Sequence, residues 1–226
     1  MIYKTKGIVL NFIKFKESSI ICKIFTESFG LQSYIINGVR SSNKNKNKNM
    51  SLFQPLTILD LIVYNKRSAN LQRLKEMKID VIYMTNHTDI KKISVCIFLS
   101  ELLGKILSNE PNQNEKFNFL YNSFLIYDSL EKNIKNFHLQ FLLKLTKFFG
   151  FEISDSSQIT KPYLNKKELN NFVMDCISMD YNSKIHSNYS ERNDVLNSLI
   201  LYFSQSLGIN IKLKSLQVLK EVFTPA

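Results

Sequence analysis

The stretch SSIICKIFTESFGLQSYIINGV (residues 18–39) decides the fold, because it contains two β-rich runs on either side of a short polar turn. Residues 18–26 and 30–39 are rich in isoleucine, phenylalanine and tyrosine, and Glu27 and Ser28 interrupt them. Short runs of β-branched and aromatic residues bounded by turn residues are typical of strands. We therefore predict two consecutive strands in this stretch.

Three further segments around this stretch have the same character: GIVLNFIKF (residues 7–15), LTILDLIVY (residues 56–64) and NLQRLKEMKIDVI (residues 70–82). Five short strands with turn residues between them predict a small barrel or sandwich. A five-stranded OB-type barrel fits this spacing, and an SH3-like barrel fits it as well.

The second part of the chain repeats with helical spacing from about Asn86 onward. Asp89 and Ser190 are the predicted N-caps of two helices, and Gly150 and Gly208 are predicted helix ends. The predicted helices run from Asp89 to about Leu107, across Phe117 to Asp128, across Phe141 to Phe149, from Asn165 to Met179, from Ser190 to Gly208 and from Ser215 to Phe223. The fold class is thus α+β, with an N-terminal five-stranded OB-type β-barrel (residues 1–82) followed by an all-helical C-terminal domain (residues 83–226) that is irregular at 150–165.

Positive charge is concentrated in the predicted barrel. Residues 1–82 contain 14 lysines and arginines against 5 acidic residues, a net charge of +9, whereas residues 83–226 contain 16 against 14, a net charge of +2. A basic module on a nearly neutral body indicates a polyanion as the binding partner, and nucleic acid is the first candidate. The alternative is that AT-rich codons have raised the lysine content without any function.

A run of alternating lysine and asparagine (residues 43–49) lies between the third and fourth predicted strands. Such a run is either a solvated loop or part of a cationic groove that neutralises phosphates. The nearby aromatic residues Phe12, Phe15, Tyr34, Phe53 and Tyr64 either stack on bases or belong to the core. The residues predicted to bind DNA are Lys14, Lys16, Arg40, Lys44, Lys46, Lys48, Lys66, Arg67 and Arg73.

Other classes of function are disfavoured by what the sequence lacks. Its three cysteines, Cys22, Cys96 and Cys176, are far apart, which argues against a disulfide framework and for a reducing, cytoplasmic environment. We find no signal-peptide core, no membrane span, no metal-binding spacing and no catalytic or phosphate-cradling motif, so we expect no enzymatic activity, metal or cofactor. Glu101, on an apolar helix, is predicted to form an ion pair that ties this helix to the barrel.

Several segments resemble the RecO family of DNA repair and recombination mediators. These are TKGIVL (5–10), Glu17-Ser18, the turn from Phe25-Thr26 to Gly30, GVRSS (38–42) and FQPL (53–56), together with LSELLGKIL (99–107) and LKSLQVLKEVF (213–223). Each motif alone is short, but their order and spacing cover most of the chain.

The resemblance implies a protein that binds single- and double-stranded DNA without sequence preference, anneals complementary strands and assists RecA in replacing single-stranded DNA-binding protein (SSB). It implies RecR, RecF and the acidic C-terminal tail of SSB as partners, and a bacterial, nucleoid-associated location in the cytoplasm. Many members of the family carry a four-cysteine zinc finger after the third helix, whereas residues 150–165 contain no cysteine here. We therefore expect no zinc site.

An apolar pocket with a cationic rim on the helical domain would suit the acidic, aromatic-ended tail of SSB, with Lys144, Lys147 and Arg192 as candidate rim residues. Two alternatives remain at this point. The first is an RNA-binding OB-fold factor associated with ribosomes or tRNA, and the second is an interaction scaffold whose lysine run has no binding role.

Overall fold

The computed structural model describes residues 1–39, 47–66, 69–110, 113–160 and 167–224. The N-terminal part consists of five strands and one 3₁₀-helix at Asn47–Phe53. The strands are β1 (Ile2–Phe15), β2 (Ser19–Thr26), β3 (Gly30–Ile36), β4 (Ile58–Tyr64) and β5 (Gln72–Ile79).

The five strands close into a barrel in the order β1-β2-β3-β5-β4. Every neighbouring pair is antiparallel except β3 and β5, which run parallel and pair Tyr34 with Gln72 and Ile35 with Arg73. This mixed five-stranded closed barrel confirms the OB-type prediction. Strand β1 begins at Ile2, five residues earlier than predicted, because its first half pairs with β4 and its second half with β2.

Alternate residues of the strands face two different cores. The barrel interior contains Val9, Cys22, Tyr34 and Leu61. Phe25 points outward from the barrel and belongs to the core of the helical part. Strands whose two faces are both covered lose the usual polar alternation. This is why the segments at residues 7–13, 20–25 and 56–64 are predominantly apolar.

Seven helices and a second 3₁₀-helix (Thr146–Phe149) are described after the barrel. They are α1 (Ile90–Ile106), α2 (Asn114–Ser129), α3 (Ile134–Leu145), α4 (Ser157–Thr160), α5 (Lys167–Ser178), α6 (Tyr189–Leu207) and α7 (Ser215–Val222). None of the helices in the described part of the chain is long and apolar enough to cross a membrane.

The helix ends follow the capping rules, with one correction. Asp89 caps α1 as predicted, and Gly150 and Gly208 end their helices with left-handed backbone. The predicted cap Ser190 is wrong: α6 begins two residues earlier, at a capping box formed by Asn188 and Glu191. Asparagine followed three residues later by glutamate satisfies two backbone N–H groups at once, which serine at 190 does not.

The outer wall of the barrel and the helices share one core, separate from the barrel interior, and a polar joint fixes the segment between barrel and helices. Ile8, Leu10 and Ile58 of the barrel wall pack with the buried residues of α1 to α3. At the joint, the Asp128 carboxylate accepts hydrogen bonds from the backbone N–H groups of residues 84, 85 and 86, each at 2.8 Å. The Lys92 ammonium completes the joint by donating to the Asp128 carbonyl oxygen at 2.8 Å.

Candidate nucleic-acid interface

A cleft of about 760 Å³ lies between the outer face of β2 and β3 and the loop that joins β4 to β5. Its walls come from β1 to β3, from the β4–β5 loop and from the loop between α1 and α2. The lining residues are Tyr3, Lys23, Ser28, Phe29, Leu31, Gln32, Ser33, Asn65, Ala69, Asn70, Gln72 and Asn109. We call this space the cleft.

The cleft exists because the parallel β3–β5 pair is short. Only two residue pairs hold these strands together, so β5 begins at Gln72 while β3 extends back to Gly30. The chain before Gln72 turns away from β3 and leaves a gap between the two. This gap is the part of an OB-type barrel, beside β2 and β3 and next to the β4–β5 loop, where such barrels bind oligonucleotides and oligosaccharides.

The side chain of Gln72 holds the β4–β5 loop in place. Its Oε1 accepts a hydrogen bond from the Lys66 backbone N–H at 3.0 Å, and its Nε2 donates to the carbonyl oxygens of Lys66 and Ala69, both at 2.8 Å. The side chain is buried, so water does not replace these bonds. Gln72 therefore positions Lys66 beside the cleft.

The helical part closes one end of the cleft. The Leu31 backbone N–H donates to the Ser108 carbonyl oxygen at 2.8 Å, so the α1–α2 loop continues the edge of β3. Gly30 permits this contact, because a Cβ at this position would lie 2.9 Å from the same oxygen. Asn109 is brought to the cleft in this way.

Exposed cations flank the β2–β3 face on two sides. Lys14 and Lys16 lie at the β1–β2 turn, and Lys66 and Arg73 lie at the β4–β5 loop. Arg73 pairs with Ile35, which pairs with Ile21, which pairs with Ile13, so these four side chains share one face. Three strand spacings of about 4.8 Å separate the two ends of this row, which is about 14 Å across the face. Lys14 pairs with Ile20 of the barrel interior, so its side chain starts from the other face, at the end of the barrel.

The remaining predicted DNA-binding residues cannot be placed in the same way. Arg40, Lys44, Lys46 and Arg67 lie outside the described residues, and the side chain of Lys48 is not described either.

Lys23 is a cation that the sequence analysis missed, although it lines the cleft. Its position between the interior residues Cys22 and Ile24 marks it as outward-facing, and this alternation could have identified it.

Two lysines on the opposite side of the barrel are paired with acidic residues. The Lys6 ammonium lies 2.5 Å from Asp80 and 3.9 Å from Asp60, and Lys78 lies 3.2 Å from Asp60. Partial burial lowers the pKa of Lys6, but the hydrogen bond and charge of Asp80 outweigh it, and the net shift is upward. The charges of Lys6 and Lys78 are therefore offset by Asp60 and Asp80.

The aromatic residues divide between core and surface. Tyr34 and Phe53 are fully buried inside the barrel, and Phe12 packs against Phe53 with ring centroids 6.4 Å apart. Tyr64 is exposed, and it pairs with Ile2 and Arg73 in the barrel. A different pair lies at the cleft: Tyr3 and Phe29 meet edge to face at 5.3 Å.

Arg192 lies at a pocket on the helical part between α3, α6 and the end of α7. A hollow of about 510 Å³ there is lined by Arg192, Lys91, Lys135 and Phe223, with Glu131 as its acidic residue. The Phe223 ring covers the buried His138, with ring centroids 6.2 Å apart. The hollow thus combines an aromatic wall with a cationic rim.

Lys144 and Lys147, the two other predicted rim residues, do not line this hollow. The Lys144 ammonium donates to the Met179 carbonyl oxygen at 2.8 Å and lies over the Tyr181 ring. Lys147 is exposed on the following 3₁₀-helix. Lys91 and Lys135, which the sequence analysis did not select, line the hollow instead.

The cysteines and acidic residues of the described part of the chain form no cluster of three or more that could hold a metal ion. Cys22, Cys96 and Cys176 are buried in separate places, and burial raises the pKa of each thiol. They act as small apolar core residues.

A closed mixed barrel with a cleft beside β2 and β3, joined to a helical body, defines the class of OB-fold binding proteins. Comparison with known proteins narrows this class to one family. The family model "Recombination protein O N terminal" matches residues 1–83, and "Recombination protein O C terminal" matches residues 87–159.

Curated relatives match along their whole length. The DNA repair protein RecO of Flavobacterium johnsoniae is 36% identical over 98% of this chain and 99% of its own length. The RecO of Flavobacterium psychrophilum is 37% identical over 98% of this chain and 99% of its own, and that of Bacteroides fragilis is 28% identical over 99% and 100%. The chain belongs to the RecO family of DNA repair proteins, and the resemblance seen in its motifs is confirmed. This is a family of recombination mediators and not of enzymes, as the sequence analysis predicted.

Proposed function

We propose that the barrel holds the phosphate backbones of single- and double-stranded DNA without reading sequence, and that this promotes the annealing of complementary strands. The observation that carries the proposal is the set of cations Lys23, Lys66 and Arg73 at the cleft beside β2 and β3, with Lys14 and Lys16 at the β1–β2 turn, in the position where OB-type barrels bind oligonucleotides. Lysine and arginine neutralise phosphates and release counterions, so binding weakens as salt rises.

Annealing follows from the same charge. Two DNA strands repel each other, and cations on one surface screen this repulsion while bases remain free to pair. Membership of the RecO family favours DNA over the RNA-binding alternative. The lysine run at residues 43–49 adds three positive charges to the barrel part of the chain.

The salt dependence of DNA binding tests the proposal. In the variant K14Q/K66Q/R73Q we expect the slope of log affinity against log salt for single-stranded DNA to fall by about 0.7 for each lost phosphate contact. The control K132Q/K184Q removes two exposed charges from the helical part and should keep the slope. An unchanged slope in the barrel variant would show that these cations do not contact DNA.

The helical part is proposed to recruit partners, namely the acidic tail of SSB, RecR and RecF, so that RecA is loaded on DNA in the cytoplasm. The hollow beside Phe223 supports the first of these, because Lys91, Lys135 and Arg192 would attract carboxylates while Phe223 and Ile134 offer an apolar wall. We therefore propose Lys91, Lys135 and Arg192 as the cationic rim that binds the tail, in place of Lys144 and Lys147.

A strand-annealing assay with SSB-coated DNA tests the partner proposal. Annealing should proceed on DNA coated with complete SSB and slow when the acidic tail is removed from SSB. The variant K91E/K135E, whose side chains are exposed or partly exposed at the hollow, should behave with complete SSB as the natural chain does with tailless SSB. The matched variant K144E/K147E should anneal DNA coated with complete SSB as the natural chain does. If K144E/K147E slows annealing and K91E/K135E does not, the SSB tail binds near α3 and the 3₁₀-helix after it instead.

A further inference from the structure

The ring of Phe223 lies between a closed space and the open hollow of the helical part. On its inner side Phe223 covers His138, with ring centroids 6.2 Å apart and ring planes 29° apart. The space left there measures about 10 Å³, which is room for about one water molecule. On its outer side the same ring lines the hollow of about 510 Å³. A ligand larger than water therefore fits over His138 only after Phe223 has moved.

The surface beneath Phe223 has the features of a binding site. His138 is 4% exposed, and its Nδ1 has no hydrogen-bond partner among the described residues. Buried polar atoms usually have a partner, so an unpartnered one indicates a place where a further group binds. Leu196 and Leu219 are buried and add apolar walls to the same space. An aromatic ring from another chain would find here the contacts that Phe223 now makes.

Arg192 places a cation at the edge of this surface. It lines both the closed space and the hollow, and 8% of its surface is exposed. Its guanidinium donates to the Ser187 carbonyl oxygen at 3.2 Å, and none of the ion pairs in the described part of the chain includes Arg192. A guanidinium has five N–H groups, so donors remain for a carboxylate. A place for a ring and a place for a carboxylate are therefore adjacent.

Phe223 lies at the end of α7, where a helix opens most easily. Its backbone N–H donates to the Leu219 carbonyl oxygen at 3.3 Å, and the hydroxyl of the next residue, Thr224, donates to the Tyr189 hydroxyl oxygen at 3.2 Å. The last turn of a helix unfolds locally at a small cost in free energy. Phe223 can therefore leave His138 while the first turn of α7 stays bonded to Glu101.

We propose that Phe223 is an internal competitor: it occupies the site that the terminal aromatic residue of an acidic peptide takes when it binds. The incoming ring replaces Phe223 over His138, its carboxylate pairs with Arg192, and Lys91 and Lys135 attract the acidic residues that precede it. This inference rests on the proposed function of the hollow as the site of the SSB tail, and it adds regulation of that site. Phe223 keeps the apolar surface covered without the tail and lowers the affinity for the tail.

Removing the internal competitor tests the inference. The probe is a fluorescein-labelled acidic peptide that ends in phenylalanine, and its binding is followed by fluorescence anisotropy. Phe223→Ala should bind it about 10-fold or more tightly than the natural chain, because a site that is open in about 10% of molecules or fewer loses affinity in that proportion. The same peptide ending in alanine should show no such gain. Val218→Ala, at an exposed position of α7, is the matched control and should bind as the natural chain does.

A tryptophan at the same position reports the movement itself. The chain contains no tryptophan, so in Phe223→Trp the emission comes from this site alone. Binding of the unlabelled peptide should shift the emission to longer wavelength, since the indole moves from His138 into water. Because Phe223→Trp keeps an aromatic ring over His138, it decides the question even where Phe223→Ala does not fold, which urea unfolding checks.

Three results would overturn the inference: weaker or unchanged peptide binding by Phe223→Ala, no shift of the tryptophan emission, or a shift to shorter wavelength. Each means that the ring stays in place when the peptide binds. Binding that is still lost in K91E/K135E would then leave the proposed tail site standing. If neither the natural chain nor Phe223→Ala binds the peptide, the proposed function of the hollow fails, and the inference fails with it.

Discussion

The carboxylate of Glu101 in α1 caps the N-terminus of α7 at Ser215, 114 residues later in the chain. It accepts hydrogen bonds from the Ser215 backbone N–H at 2.9 Å and hydroxyl at 2.5 Å, and from the Lys214 backbone N–H at 3.0 Å. Lys214, the N-cap residue of α7, makes no side-chain cap of its own. The predicted ion pair between Glu101 and the barrel is therefore wrong: this carboxylate ties α1 to α7.

Replacing Glu101 by glutamine should weaken this cap. Partial burial raises the pKa of Glu101, but the hydrogen bonds from Ser215 and Lys214 outweigh it, so the net pKa lies below its usual value. A carboxyl whose pKa is lower in the folded state stabilises the fold above its unfolded pKa, and this stability is lost as pH falls through the folded pKa. Glu101→Gln should thus cost about 1–2 kcal/mol of unfolding free energy near neutral pH and less in acid.

Urea unfolding of both proteins at several pH values measures this difference. The exposed Glu152→Gln variant is the control and should unfold as the natural chain does at every pH. A Glu101→Gln variant that is as stable as the natural chain near neutral pH would contradict the capping role.

The buried histidine should make the fold sensitive to mild acid. Burial, aided by the nearby Arg192, lowers the pKa of His138 to about 3, and its Nδ1 has no hydrogen-bond partner among the described residues. Below a pH of about 6.5 the unfolded chain takes up a proton on this residue that the folded chain does not. The free energy of unfolding therefore decreases by about 1.4 kcal/mol for each unit that the pH is lowered below that value. His138→Leu should remove this contribution.

The readout is the difference in unfolding free energy between His138→Leu and the natural chain at pH of about 7, 6 and 5. The difference should change with pH in favour of the variant. His186→Leu, at an exposed position, is the matched control. A constant difference for His138→Leu would mean that His138 becomes protonated without unfolding.

Gly30 should not tolerate a side chain. Its φ is +63°, and a Cβ would clash with the carbonyl oxygens of Ser108 and Glu110. Gly30→Ala should therefore cost about 2–5 kcal/mol from backbone strain and overpacking together, and it should loosen the α1–α2 loop from β3. Gly150→Ala, where φ is +80° but no atom lies within 4 Å, should cost only about 1–2 kcal/mol.

Thermal or urea unfolding separates these two glycines. DNA affinity gives a second readout, because Gly30→Ala also displaces Asn109 from the cleft. Equal destabilisation by the two substitutions would show that the contact between Gly30 and the α1–α2 loop is not tight.

Gln72 should control the order of the β4–β5 loop. Gln72→Glu keeps an acceptor for the Lys66 backbone N–H but loses both donated hydrogen bonds, and Gln72→Leu loses all three. Each buried group left without a partner costs about 1–3 kcal/mol, whereas the buried carboxylate of Gln72→Glu would also face two carbonyl oxygens, so Gln72→Glu should be the less stable variant.

Limited proteolysis with trypsin reports on this loop directly, since Lys66 lies within it. Cleavage after Lys66 should be fastest in Gln72→Glu, intermediate in Gln72→Leu and slowest in the natural chain. DNA affinity should fall in the same order, and a loop that stays protected in both variants would contradict the role of Gln72.

Much of the fold was predictable because local rules govern it. Strands β2 and β4 begin within two residues of the predicted positions, and α1 begins after its predicted cap at Asp89. Side-chain period, capping residues and glycines at helix ends act over fewer than about ten residues, so a single sequence reveals them. The charge excess of the barrel was likewise visible without a structure.

The candidate site was only partly predictable. Lys66 and Arg73 were selected from their charge, but Tyr3, Asn70 and Asn109 were not, because neutral polar residues in loops carry no distinctive pattern. Their approach to one another depends on the short β3–β5 pair and on the α1–α2 loop.

Residue order along the chain was enough to establish a β-rich basic half, a helical half and the ends of most helices, since each follows from the identities of near neighbours. The register that sets Gln72 beside Tyr34, the contact of Gly30 with the α1–α2 loop and the capping of α7 by Glu101 came from folding in three dimensions. These contacts join residues far apart in the chain, and their free energy depends on burial and geometry that exist after the barrel and helices have packed together.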